Sequence, residues 1–226
     1  MGEQIVLTAK DGHSLDAYRA TPGGAAKAGL LVIQEIFGIN IHVRELCDAF
    51  AADGYLAIAP AMFDRKQRQV DLGYNAETVA AGRALKDDVG WDVPIADMQA
   101  GLVALRAAVG PDGKIGVVGY CWGGSLAWLA ACRLESDCAV GYYGGQIGQF
   151  LDEQPRSPTM LHFGSEDTGI PMLTVEDIRG AHPEVEIHVY EGAGHGFNCD
   201  QRADYHPAAF ALARERTMAH FAEHLG

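Results

Sequence analysis

The sequence predicts an α/β fold with a mostly parallel central sheet, helices on both faces, and an antiparallel edge hairpin at the N-terminus. Three observations carry this reading. Short, nearly continuous apolar runs recur along the chain, as expected of parallel strands buried on both faces. Stretches with helical apolar spacing lie between them, and the 28 glycines fall between apolar runs instead of forming a tract. Strands alternating with helices imply a wound sheet.

In chain order, Gln4 to Ala9 and Ser14 to Ala20 flank the turn Lys10-Asp11-Gly12-His13, a hairpin signal that adds antiparallel strands at an edge. The buried runs then follow: Gly29–Gln34, Tyr55–Ala59, Lys114–Gly119, Ala139–Tyr143 and Thr159–Phe163, with Glu186–Tyr190 after them. Val43, Leu46, Cys47 and Phe50 repeat at i, i+3, i+4 and i+7, and Met98, Leu102 and Leu105 mark a second helical stripe. Residues 64–90 are polar with weak periodicity and are expected to be a cap or a mobile segment over a pocket. Ala208 to Leu225 reads as a closing helix. The absence of repeats and linkers makes residues 1–226 one domain.

Composition narrows the function. Seventeen Lys and Arg against 30 Asp and Glu give a net charge of −13, without an acidic block, so nucleic acid and anionic membrane are poor partners. No run approaches a membrane span and no leader pattern opens the chain, which reads as cytoplasmic. Five cysteines without a CxxC pair argue for reduced thiols, not a disulfide framework or a zinc knuckle. His220-x-x-Glu223-His224 matches a helical zinc pattern, but nothing downstream offers a third ligand and the residues read as solvated. Phosphate-cradling glycine motifs are also missing. The expected partner is a small molecule, bound by a monomer or small homo-oligomer without metal or other cofactor.

The chemistry concentrates in Gly119-Tyr120-Cys121-Trp122-Gly123-Gly124, where a buried strand runs into a helix. Gly-x-Cys-x-Gly at such a corner has the pattern of a nucleophile elbow with cysteine in place of serine. Helix N-terminal amides favour a thiolate there, and the Trp122 N–H follows the nucleophile, where it can donate to a developing oxyanion. A base and an orienting acid are then expected on later loops. His195, in Gly192-Ala193-Gly194-His195-Gly196-Phe197, is the base selected from nine histidines. His13, His42, His182 and His206 read as solvated, at turns or helix ends, and His162 and His188 as strand residues. Asp167, in Gly164-Ser165-Glu166-Asp167, is the acid of choice, with Glu166 and Asp177 as rivals.

Together, Gln34-Glu35-Ile36-Phe37-Gly38, the Cys121 block, Gly141-Tyr142-Tyr143-Gly144, Gly164-Ser165-Glu166-Asp167, Gly194-His195-Gly196-Phe197 and the terminal Glu215-Arg216-Thr217 helix resemble the dienelactone hydrolase family over nearly the whole chain. The resemblance implies a compact α/β-hydrolase fold and a Cys121, His195, Asp167 triad. It also implies that Glu35 contacts the resting thiol and moves when substrate binds, and that the Ile36 N–H is the second oxyanion donor. A carboxylate beside the thiol would keep the resting cysteine neutral and slow to oxidise. Family members of known activity hold a substrate carboxylate with two arginines. Here one of those positions is Cys199, with Arg202 three residues on, and Arg83 is the candidate for the other. Phe37, Trp122 and Tyr142 match or neighbour pocket positions. The implied function is hydrolysis of small activated esters or lactones, dienelactone-like ones foremost, through an acyl-thioester. Alternatives are a thiol-based peroxide sensor and a non-catalytic ligand-binding protein on the same fold.

Overall fold

The computed structural model describes residues 2–226. Its eight strands are β1 (Glu3–Thr8), β2 (Ser14–Ala20), β3 (Gly29–Ile33), β4 (Leu56–Pro60), β5 (Ile115–Tyr120), β6 (Cys138–Tyr142), β7 (Thr159–Gly164) and β8 (Glu186–Tyr190). They form one sheet in the order β1-β2-β4-β3-β5-β6-β7-β8. The β1/β2 and β2/β4 pairs are antiparallel and every other pair is parallel. Every residue of β3, β4, β5, β6 and β7 is buried, which explains why these strands read as continuous apolar runs.

Among the described residues there are six α-helices, α1 (Ile41–Ala52), α2 (Ala76–Val89), α3 (Asp92–Val109), α4 (Trp122–Arg133), α5 (Met172–Ala181) and α6 (Pro207–Leu225), and one 3-10 turn at Ile147–Gln149. Phe50 of α1 meets Phe221 of α6 edge to face, their rings 6.0 Å apart, so these helices share one face of the sheet. On the other, α3 packs against β3, β4 and α4. Polar side chains cap the start of three of the helices. Asn40 caps α1 by accepting the Val43 N–H, and Asn75 caps α2 by accepting the Thr78 N–H. For α6 it is His206, whose Nδ1 accepts the Ala209 N–H at 3.1 Å. The C-terminal half of the expected cap segment, 64–90, is helix α2, and the half before it is loop and turn. Gly82 lets α2 lie against the chain after β3: a Cβ there would stand 2.1 Å from the Ile36 carbonyl oxygen.

Topology decides where a ligand can sit. From β3 the chain winds outward to β4, then returns across β3 to β5, so the loops after β3 and β5 leave in opposite directions and open a crevice. The loops after β7 and β8 end at the same edge of the sheet, because all four strands run parallel.

Among the histidines, His42 and His182 are buried, contrary to the solvated reading, and so is His220 near the end of α6. Each is on a helix or at its end, but the helix face carrying it turns inward, which local sequence does not disclose. No helix among the described residues is long and apolar enough to cross a membrane.

Candidate active site

Cys121 sits between β5 and α4 with φ 55° and ψ −117°, a left-handed conformation rare for a residue with a side chain. Its neighbours hold it there. The Cys121 N–H donates to the Tyr142 carbonyl at 3.0 Å, and its own carbonyl accepts the Gly124 N–H at 2.9 Å. Glycine is required where the turn closes: a Cβ on Gly119 would fall 1.8 Å from the Gly123 carbonyl oxygen. The bend lifts Sγ to the helix N-terminus, and Cys121 is the one cysteine that is not buried.

His195, from the loop after β8, brings Nε2 to 3.1 Å from Cys121 Sγ. Its Nδ1 lies 2.7 Å from Asp167 Oδ2, on the loop after β7. Asp167 is buried, and its Oδ1 accepts the Gly169 N–H at 2.8 Å, which fixes the carboxylate's rotation. Burial pushes the imidazole toward lower pKa, but the Cys121 sulfur and the Asp167 carboxylate outweigh it and raise it to about 10. His195 therefore carries its proton at neutral pH.

A cavity of about 450 Å³ opens over Cys121 and His195. Ile36, Phe37, Trp122 and Ile170 supply apolar wall, and Arg83, Lys86 and Arg202 bring three cations to it. Ile36 and Trp122 follow β3 and β5 and so flank the crevice. Among the described residues neither amide donates to a carbonyl, which leaves both N–H groups for a bound oxygen. The Trp122 ring stacks on Phe63 at 5.2 Å.

Two expectations change. Glu35 is buried and does not bond the thiol: it accepts from Arg202 Nη1 at 3.3 Å and from the Tyr74 hydroxyl at 3.4 Å. A guanidinium attracts a carboxylate more strongly than a thiol does, so Arg202 takes the contact expected of Cys121. The reason given for a neutral resting thiol falls with it. Tyr142 is the second correction, since its side chain points into the core, where its hydroxyl bonds Thr217 Oγ1 at 2.7 Å. Adjacent side chains alternate in direction, and it is Tyr143, with φ 39°, whose ring reaches His195 at 5.1 Å.

Arg202 reaches the cavity wall although it lies three residues beyond the position where an arginine is expected. The turn Gly196–Cys199 and a second turn closing at Arg202 fold the loop back, and its guanidinium packs 5.8 Å from the Tyr74 ring. Arg83 is exposed on α2 at the mouth. Tyr74 had no signal in the sequence. It stands in the polar segment before α2, yet its hydroxyl joins Glu35 to the Asn40 amide, which donates to it at 3.0 Å. Glu166 lines the cavity but makes no hydrogen bond to His195, and Asp177 lies on α5 and does not line the cavity.

A sequence profile of the dienelactone hydrolase family matches residues 15–225. A carboxymethylenebutenolidase of Pseudomonas putida is 33% identical over 223 residues, covering 96% of this chain and 94% of its own. A crystal structure of a Klebsiella pneumoniae protein provisionally named a dienelactone hydrolase superposes with a TM-score of 0.83 at 30% identity, covering 97% of this chain and 99% of that one. A dienelactone hydrolase-like promiscuous phosphotriesterase from metagenomic libraries, 21% identical with a TM-score of 0.74, covers 100% and 99% and shares the fold.

Proposed function

Since this chain belongs to the dienelactone hydrolase family and is a hydrolase of ester or lactone bonds on the α/β-hydrolase fold, we propose that it opens small activated esters and lactones by acyl transfer to Cys121, with carboxylate-bearing, dienelactone-like lactones as its substrate class. The observation that carries this is the unbroken chain from Cys121 Sγ through His195 to buried Asp167, at 3.1 and 2.7 Å, on the floor of the cavity.

An imidazolium facing the sulfur favours thiolate. The thiolate attacks the acyl carbon, and the carbonyl oxygen gathers negative charge between the Ile36 and Trp122 amides. As the tetrahedral centre collapses, the C–O bond breaks and His195 Nε2 gives its proton to the departing alkoxide or enolate. The sulfur is now a neutral thioester and the imidazole is neutral. It takes a proton from water as the hydroxide attacks the thioester; the C–S bond breaks, the acid leaves, and the thiolate–imidazolium pair is restored. Asp167 keeps Nδ1 protonated throughout.

Arg202 and Arg83 are the proposed carboxylate-binding side chains, and Phe37 is a wall of the acyl pocket. A substrate carboxylate on Arg202 would compete directly with Glu35, releasing it toward the thiol. That gives Glu35 a substrate-dependent role without a resting bond to sulfur. No observation on this chain or its relatives favours a peroxide sensor or a silent binding protein.

Hydrolysis of p-nitrophenyl acetate and of a carboxylated lactone tests the reading. Cys121→Ala should abolish both, and turnover persisting unchanged would overturn it. For the substrate class, kcat/KM for the lactone relative to its methyl ester should fall on the order of tenfold or more in Arg202→Ala, the worth of one charge-assisted bond. An unchanged ratio in both Arg202→Ala and Arg83→Ala would remove the carboxylate from the proposal.

A further inference from the structure

Behind the cavity wall three side chains from separate elements converge. They are Glu35 after β3, His42 in the first turn of α1 and Cys199 in the loop after His195, and one ligand atom from each lies within 4.8 Å of the other two. Their relative exposures are 1%, 4% and 0%. His42 Nε2 is buried without a hydrogen-bond partner, an arrangement that costs stability unless something fills it. The two bonds holding Glu35 are long, at 3.3 and 3.4 Å.

Thiolate, imidazole and carboxylate around one point form a zinc-type donor set, not one for calcium or magnesium, which prefer oxygen alone. Ligand atoms around tetrahedral zinc stand about 3.3–3.8 Å apart, so the cluster has to contract by roughly an ångström. We propose that Glu35, His42 and Cys199 form a binding site for a zinc-class divalent cation, separate from the catalytic thiol, whose occupancy inhibits the enzyme. On binding, the Cys199 thiol releases its proton to solvent and forms the sulfur–metal bond. With the thiolate and the Glu35 carboxylate the ion's two charges are balanced, and water takes the fourth position.

Arg202 is the link to activity. Its guanidinium touches Glu35 on one side and lines the cavity on the other, with Asp204 3.7 Å away. A metal ion on Glu35 neutralises the carboxylate that holds Arg202, which frees the guanidinium toward the cavity and Asp204, and it withdraws Glu35 from substrate-dependent movement. Inhibition then follows without any ligand on Cys121.

The test uses the full chain carrying Cys121→Ala, which removes the rival thiol and reads binding without turnover, so the result stands apart from the hydrolytic reading. Cobalt(II) should bind with one equivalent and show thiolate-to-metal charge-transfer absorption. Zinc should compete for the same equivalent. Cys199→Ser should abolish the absorption, and His42→Gln should weaken zinc binding roughly tenfold or more, since even outer-shell losses cost that much at metal sites. Arg202→Gln should tighten it by removing the cation that competes for Glu35. With Cys121 intact, zinc should inhibit hydrolysis and Cys199→Ser should relieve that inhibition. Absence of stoichiometric binding, or binding indifferent to both Cys199→Ser and His42→Gln, overturns the site; reading His42→Gln and the cobalt spectrum of the chain with Cys199 intact keeps that outcome independent of any folding defect in one variant.

Discussion

Replacing Asp167 by asparagine isolates the electrostatic part of the site with little change in shape. The Gly169 N–H bonded to Oδ1 at 2.8 Å should keep the introduced amide's oxygen where that oxygen is, turning its NH2 toward His195. Imidazole Nδ1 must then accept a hydrogen bond, so in the neutral ring the proton sits on Nε2, where it can no longer be received from water. The charge is lost as well. At 2.7 Å between Oδ2 and Nδ1, charge centres about 4 Å apart at an effective dielectric of about 20 attract by about 4 kcal/mol, or roughly three pKa units. His195, held at about 10, should fall to about 7. The leaving group needs the protonated ring, so the alkaline limb of kcat/KM, expected near pH 10 in the parent enzyme, should move down by about three pH units. At its optimum the variant should lose on the order of 10²- to 10⁴-fold in kcat, the usual worth of a positioned base. The same pair contributes to stability: with the folded value raised, its contribution is whole below the ordinary histidine value and is lost as pH rises through about 10. A kcat/KM profile from pH 5 to 11 is the assay, those limits being roughly the range in which both limbs fall. An alkaline limb that stays in place, or a rate within a few-fold of the parent, would refute the coupling of Asp167 to His195.

Three further outcomes are expected. Gly82→Ala puts a Cβ 2.1 Å from the Ile36 carbonyl oxygen, so α2 must withdraw; kcat/KM should fall about 10- to 100-fold as the Ile36 amide shifts, and an unchanged rate would show that the amide does not follow the helix. Thr217→Val strands two buried partners, the Tyr142 hydroxyl at 2.7 Å and His162 Nε2 at 3.0 Å, and should cost about 2 kcal/mol or more in urea unfolding, with little change in KM because neither group lines the cavity. Tyr74→Phe removes the hydroxyl shared by Glu35 and Asn40; about 1 kcal/mol of stability should go with it, and kcat should fall while the esterase rate on a small neutral substrate falls less.

The parallel strands could be read from their sequences because each is buried on both faces, which leaves an apolar run of strand length whatever surrounds it. Cys121 and His195 were legible for a related reason. A side chain lifted out of a tight bend or crowded by a loop needs glycine beside it, and glycine spacing is local. The N-terminal hairpin announced itself through Asp11-Gly12, where Gly12 takes φ 85°.

What crosses between distant segments was not legible. Glu35 and Arg202 are 167 residues apart, and nothing near either one says that a guanidinium, not a thiol, faces the carboxylate. The burial of His42 and the inward turn of Tyr142 depend on which face of an element meets the sheet. Tyr74 bonds Glu35 only because Gly82 admits α2 against Ile36. Local chemistry determined the strands, the elbow and the identity of the reactive groups, because those demands are met within a few residues. Tertiary structure alone decided which charge neutralises which, because that follows from distances that only the closed sheet and its loops create.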